Sequence, residues 1–387
     1  KPVHSCHSGL STVNPGQSAM ARQANDTGSK SLHVSLVALP EAAISTLAGM
    51  YDVMSGAAMM GVASAGTKPP FRVEIVGPLL LASGLPITVQ RAVDTIDKTD
   101  IVIVPSVLLK KSGWEKGRYP QLVNWLERMH EGGAILCSAC SGLFLLAETG
   151  LFDGKDSTVF FGYARNFAAL YPAVAIHPER VLVISGLREE LVSSGASTTW
   201  HDLVLYLIAR HAGATTAQEV ARLFALQWHQ DGLAPFIVFE GRSDHGDGEI
   251  QAAQTWLANH FSVANPVEEM IKRSKLAERT FKRRFAAATG LTPIAYVQRL
   301  RIEDAKRRLE RTDTSVDEIS WRVGYEDAAF FRRLFKRTTG MAPGAITSDF
   351  STGRSGACSL AGAGSTTWLF AQPCAYSVFI NGKSRTS

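Results

Sequence analysis

Two stretches of this chain are copies of one another. Shifting Arg279-Thr280-Phe281-Lys282-Arg283-Arg284-Phe285 by fifty residues lays Phe281 on Phe331, Arg283 on Arg333 and Phe285 on Phe335. The match runs on through Thr289-Gly290 onto Thr339-Gly340 and Pro293 onto Pro343. Self-similarity at a fixed period marks a repeated supersecondary unit. In each copy the aromatics stand at i and i+4, on one helix face, and the bases at 282, 283, 332 and 333 point elsewhere. A single basic amphipathic helix is usually no more than a solvated face. A duplicated one, held by its apolar side with its basic side free, has what is needed to enter a DNA groove twice.

Charge is distributed accordingly. Between Gln251 and Thr347 there are 18 Lys+Arg against 11 Asp+Glu, whereas the rest of the chain has 22 against 24. The basic excess is thus confined to the region with the repeat, as expected of a nucleic-acid module joined to a neutral one. Apolar residues make up 45% of the 387, enough for sizeable cores in two or three domains. The five cysteines, at 6, 137, 140, 358 and 374, form no disulfide framework, and Cys137-x-x-Cys140 has no second Cys/His pair at zinc spacing. The expectation is a reduced, cytoplasmic setting with no metal and no cofactor. No apolar run reaches the length of a membrane span.

In chain order, residues 1–30 read as a flexible leader without the apolar core of a secretory signal. From His33 the texture becomes that of an α/β sheet. Strands are expected at 33–39, 71–78, 87–90, 101–105, 134–139, 181–185 and 191–193. Helices are expected at 44–60, 121–130, 143–148, 202–210 and 217–226, with right-handed crossovers and parallel strands. Residues 231–250, rich in Gly, Asp, Ser and Pro, read as a linker. An all-helical region follows over 251–347, and 348–387 is a low-complexity tail to which no fold is assigned.

Within the first part, Ile135-Leu-Cys-Ser-Ala-Cys140-Ser-Gly142 joins a strand to a helix. Such a turn exposes a side chain at the carboxyl edge of a sheet and aims a helix N-terminus at it. The plainer reading is a small buried thiol closing a tight turn. These residues, with Val102–Pro105, the run from Ser141 to Gly154 and Ser193–Asp202, resemble the PfpI/ThiJ-like branch of the class I glutamine-amidotransferase-like superfamily over residues of about 32–230. Together with the helical region, the chain resembles GlxA-family regulators of the AraC/XylS class. The resemblance implies an α/β parallel-sheet sandwich of flavodoxin-like type followed by an all-α tandem helix-turn-helix domain.

Only part of the enzyme pattern transfers. Cys140 occupies the nucleophile position. Where protease-like relatives carry a His directly after it, this chain has Ser141. A further His position matches Phe160, and an acidic position matches Thr46. A thiol without base and orienter lacks the usual activation. The expectation is no catalysis, with Cys140, Ser141, Gly142 and His201 as candidate ligand-binding residues for a small polar effector.

In the helical region the resemblance places the first recognition helix at 278–288, a linker helix from Pro293, and the second recognition helix at 327–338. It assigns Arg279, Lys282 and Arg283 to the DNA-reading face of the first, and Ala328, Ala329 and Arg333, with Arg332 and Lys336 beside them, to the second. Arginine pairs bidentately with guanine, lysine holds phosphate, and alanine touches only thymine methyls. The first helix is therefore expected to carry base readout and the second mainly to position. Phe281, Phe285, Trp321, Tyr325 and Phe335 are expected in the core. The family's closing Tyr-Arg pair is missing after Pro343, which leaves a last helix short or altered. The resemblance also implies a homodimer, double-stranded promoter DNA and RNA polymerase as partners, and activation of a metabolic operon. The rivals are a cysteine-dependent amidase, hydratase or protease fused to a DNA-binding domain, and a redox sensor using Cys137 and Cys140.

Overall fold

The structure, a computed structural model, describes residues 31–61, 69–77, 80–82, 85–110, 113–230 and 232–350. The leader and all of the tail beyond 350 lie outside them. The first half is built on a six-stranded sheet in the order β2-β1-β5-β6-β10-β9, with β1 at Leu32–Val37, β2 at Phe71–Val76, β5 at Ile101–Val104, β6 at Ile135–Ala139, β9 at Leu182–Ser185 and β10 at Leu191–Ser194. Two small pairs stand apart from it, β3 (Leu80–Ala82) with β4 (Leu85–Ile87) and β7 (Asp156–Ser157) with β8 (Ala175–Ile176). All neighbours in the main sheet are parallel except β9, which runs antiparallel to β10. Parallel crossovers throughout were the expectation. The short turn at Gly186 makes a hairpin instead, because two strands so close in sequence leave no room for a crossover helix.

Both faces of the sheet are covered. Val102, Val104 and Leu136 pack with Leu122, Trp125 and Leu126 of α2 (Pro120–Glu131) and with Phe144 of α3 (Leu143–Ala147). Ile101, Ile103 and Cys137 pack on the other side with Leu47 and Met50 of α1 (Ile44–Gly61) and Leu203 and Leu207 of α5 (Trp200–Ala212). Alternate residues of one strand thus enter different layers, which is why β5 reads as an unbroken apolar run. Two more helices, α4 (Ala164–Leu170) and α6 (Ala214–Leu223), complete this half.

The second half is all helical: α7 (Gly248–His260), α8 (Pro266–Ser274), α9 (Glu278–Thr289), α10 (Pro293–Arg311), α11 (Val316–Arg322), α12 (Ala328–Thr339) and α13 (Pro343–Phe350). The fifty-residue echo is geometric as well as textual. Phe281 and Phe285 fill one core, and Phe331 and Phe335 fill another. Thr289 and Thr339 each donate a hydroxyl hydrogen bond to the carbonyl four residues back, and each accepts from the amide two residues on. Both helices end on a left-handed glycine, Gly290 and Gly340. A last helix forms after Pro343 despite the missing Tyr-Arg pair, with Ile346 buried in the second core.

Helix α10 joins the two units. Tyr296 and Val297 at its start belong to the first core, and Ile302, Ala305 and Leu309 to the second. Arg301 sits at the junction, 8% exposed. Its Nε donates to the Phe261 carbonyl at 2.7 Å, and its two terminal nitrogens donate to the carbonyls of Gly324 at 2.7 Å and Val263 at 2.8 Å. Its guanidinium also stands 5.0 Å from the Tyr325 ring. One planar cation thereby satisfies backbone acceptors from both units. Replacement by Met leaves these acceptors without their donor, at a cost on the order of 3 kcal/mol. Arg301→Met is expected to lower the calorimetric transition of the helical half while leaving that of the sheet half in place; a single unshifted pair of transitions would contradict this.

Candidate nucleic-acid interface and the cysteine elbow

The two recognition helices present matching outward faces. On α9, Arg279 and Arg283 are exposed opposite Phe281 and Phe285. Among the described residues neither has an ion-pair partner. On α12, Ala329, Arg333 and Lys336 occupy the corresponding outward positions. Lys282 and Arg332, also equivalent, lie at the flank, and each is held by an acid: Lys282 by Glu278 at 2.5 Å, Arg332 by Asp317. Arg284 turns back to make a two-point pair with Asp247, the residue that caps α7.

Some expected placements differ. Ala328 is half-buried, because it lies three residues before Phe331 and shares its inward face. Phe330 and Arg337, for which the residue pattern predicts no role, are exposed on the flank away from Arg332. Trp321 is 73% exposed instead of buried. The short α11 packs through Ile319 and Ser320, with Val316 partly buried beside them, and Trp321 falls off that face.

The elbow is formed as the strand-turn-helix pattern predicts. Cys140 has φ +53°, a left-handed conformation that L-residues adopt under constraint. The constraint is visible on both sides. Ser141 donates its hydroxyl to the Val107 carbonyl at 2.6 Å and accepts from the Val107 amide at 2.8 Å. A Cβ at Gly142 would lie 2.5 Å from the Val104 carbonyl oxygen and 2.6 Å from that of Pro105, so only glycine fits. Ser141 and Gly142 therefore lock the elbow to the loop after β5.

The thiol is 3% exposed. Burial pushes its pKa up, and the Ser141 amide and the Ser141, Ser197 and Ser106 hydroxyls pull against that. The Ser106 hydroxyl is buried with no hydrogen-bond partner, close enough to act on the thiol's charge. Tyr163, which senses the charge of Cys140, stands beside the half-buried Phe160. Thr46 is buried. His201 does not complete the site: its neighbours in charge are Asp202 and His229, and burial lowers its pKa. Cys137 is fully buried in the layer of α1 and α5, and both cysteines are free thiols. Among the described residues no cluster of three His, Cys, Asp or Glu side chains could hold a metal, and no helix is long and apolar enough to cross a membrane.

The stretch expected as a linker is a strap bonded to both halves, and those bonds leave no trace in the residue pattern. Asp202, buried at the start of α5, accepts from the His229 amide at 2.9 Å and binds its Nδ1 at 2.7 Å. Leu233 then packs so tightly that a Cβ on Gly195 would come within 2.6 Å of it. At the far end Lys306 of α10, 4% exposed, donates to the Ile237 carbonyl at 2.7 Å, and Glu303 accepts from the Phe239 amide at 3.2 Å.

Comparison with known proteins agrees with this arrangement. A family model described as "Helix-turn-helix domain" matches residues 270–348. The HTH-type transcriptional regulator CdhR of Pseudomonas aeruginosa is 27% identical over 282 residues, covering 69% of this chain and 77% of that protein. The HTH-type transcriptional activator RhaS of Salmonella arizonae is 35% identical over 106 residues, covering 27% of this chain and 38% of its own length. An AraC family transcriptional regulator from Pseudomonas putida, solved by crystallography, superposes with a TM-score of 0.42 at 18% identity, over 50% of this chain and 99% of that one. A parallel α/β domain carrying a cysteine elbow, followed by an AraC-type helix-turn-helix domain, gives this chain the GlxA-like architecture of AraC-type transcription regulators.

Proposed function

We propose that α9 and α12 enter successive major grooves of promoter DNA, and that a small polar metabolite held at the Cys140 elbow controls this binding. The observation that carries the reading is the matched pair of outward faces, Arg283 on one helix and Arg333 on the other, set by one buried strut. Helix α10, 19 residues long, measures about 28 Å, of the order of one duplex turn. Arg279 and Arg283 take the base-reading role, because both are free of acids. Arg333, Lys336 and the flanking Lys282 and Arg332 hold phosphates. A homodimer presents four such helices, and the DNA-bound assembly contacts RNA polymerase to activate transcription of a metabolic operon.

The elbow binds and does not catalyse. Its thiol is protonated at neutral pH by burial, with no imidazole or carboxylate beside it to take the proton. The unpartnered Ser106 hydroxyl, with Ser197 at the mouth, supplies polar contacts for a ligand. The loop carrying Ser197 also carries Gly195 under Leu233 and leads directly to Asp202. Occupancy of the elbow is thereby felt by the strap, and through Lys306 and Glu303 by α10.

Three outcomes test this. In gel shifts on a panel of selected duplexes, Arg283→Ala is expected to flatten sequence preference by about 1–3 kcal/mol at one position, while Arg333→Ala weakens all duplexes evenly and lowers the salt slope by about one. The reverse pattern would exchange the roles of the two arginines. Iodoacetamide at pH 7 is expected to alkylate Cys140 about tenfold more slowly than free cysteine, whose thiolate fraction is already only a few per cent. Rapid stoichiometric labelling would favour the enzyme instead.

The third concerns pH. The hydrogen bond that the His229 ring donates to the Asp202 carboxylate raises the pKa of His229. A raised folded-state pKa gives stability in full below the unfolded value of about 6.5, which is lost as pH rises through the folded value. Asp202→Asn is therefore expected to cost more in urea unfolding at pH 6 than at pH 9. His201, whose pKa burial lowers, is pulled upward by the charge of Asp202, so loss of that charge in the variant acts in the same direction as it does through His229. An equal cost at both pH values would mean a neutral hydrogen bond.

A further inference from the structure

We infer that Phe330 reads thymine methyl groups, making the tip of the second recognition helix an apolar base reader. The inference rests on α12 lying in a major groove. Phe330 is the third residue of α12, within the first turn, the part of a recognition helix that meets base edges. It is 38% exposed, on the flank of a helix whose other aromatics, Phe331 and Phe335, are fully buried. The ring borders the second core only through Tyr325, and its counterpart fifty residues earlier is Thr280.

The ring is braced. Its centroid lies 5.8 Å from that of Tyr325, which is itself buried under the Arg301 guanidinium. The strut that joins the two units thus also backs the Phe330 ring and holds its outer edge forward.

The chemistry around it is that of a base reader rather than a phosphate clamp. The Asp327 carboxylate accepts from the amides of Ala329 at 2.8 Å and Phe330 at 3.0 Å. The helix N-terminus is thereby already occupied by a negative charge, which repels phosphate. The first recognition helix differs: Ala277 stands at its cap without a side-chain hydrogen bond. Beyond Asp327 the tip of α12 offers Ala329 and Phe330, and the cations Arg333, Lys336 and Arg337 begin only in the next turn. In a major groove the apolar group a base edge presents is the C5-methyl of thymine. The second helix therefore reads bases by methyl contact, while its cations hold the backbone.

Deoxyuridine isolates this contact, because it pairs as thymine does and lacks only the methyl. A duplex selected in vitro with the full chain is substituted one thymine at a time, and Kd is measured by fluorescence anisotropy. Wild-type protein is expected to lose about fourfold in affinity at one or two thymines, the equivalent of one buried methyl. Phe330→Ala binds the thymine duplex correspondingly less tightly and no longer distinguishes uracil there, while its response to substitutions elsewhere is unchanged. Phe330→Thr, which installs the residue of the first unit, serves where the alanine variant unfolds, with the calorimetric transition of the helical half as the folding control. A thymine-to-uracil ratio that survives both substitutions overturns the proposal and leaves DNA binding by α12 intact. Failure of wild-type protein to bind any duplex at low salt overturns it together with the reading it rests on.

Discussion

The geometry of the helical half depends on the Arg301 guanidinium. Two recognition helices read DNA as a unit only if their separation and angle are fixed, and the two apolar cores do not fix them. Each core is closed around its own phenylalanine pair, and α10 contributes residues to both. Arg301 supplies the missing constraint by bonding carbonyls of the first unit's α7–α8 loop and of the second unit's turn at once. A buried charge ordinarily carries a large desolvation cost, which lowers its pKa here. A planar group with several donors recovers that cost where backbone acceptors converge and no alternative donor exists. The same guanidinium lies against Tyr325, and Tyr325 against Phe330, so the strut that sets helix spacing also bears on what the second helix presents.

The elbow follows a different logic, in which a strained backbone is kept around a buried thiol. Cys140 holds a left-handed backbone conformation because Gly142 lets the chain pass against Val104 and Pro105 and because Ser141 is bonded twice to Val107. That geometry projects a side chain at the carboxyl edge of the sheet, the usual place for ligands in open α/β folds. What activates a nucleophile lies elsewhere in the chain or is replaced. Phe160 is half-buried and Thr46 is buried, His229 is bonded to Asp202, and His201 has Asp202 and His229 as its charged neighbours.

Much of this was legible in the sequence, for identifiable reasons. The duplication was readable because helix-core positions recur at fixed spacing and because Thr-Gly and Pro mark helix ends in both copies. Strands β5 and β6 were readable because both faces are covered, giving unbroken apolar runs. Arg301, Lys306 and Glu303 were not, since a cation or acid on an amphipathic helix looks the same whether it meets water or a neighbouring carbonyl. The partnership of Asp202 with His229 spans a helix and a loop and leaves no periodic trace. Trp321 and Phe330 were misjudged or missed for the opposite reason: aromatic residues near a helical core pattern read as core. The antiparallel β9 depended on one short turn, and the pairs β3–β4 and β7–β8 are too brief to show a pattern.

The placement of the strap explains how two halves with such different demands can share one chain. The elbow needs local strain, and the helical half needs rigid spacing. A flexible tether would isolate them. Here the loop from Gly195 to Asp202 serves at once as wall of the elbow, through Ser197, and as anchor of the strap, through Leu233 and His229. The strap's other end is fixed to α10 by a buried ion pair, Lys306 with Glu303, whose two members take one backbone carbonyl and one backbone amide of the strap. A ligand can shift an equilibrium only by interacting differently with its two states. An element whose position both the elbow and the strap would sense is this loop, which meets the thiol through Ser197 and the strap through Leu233. Under the proposed control, a metabolite at the elbow would act by preferring one position of that loop.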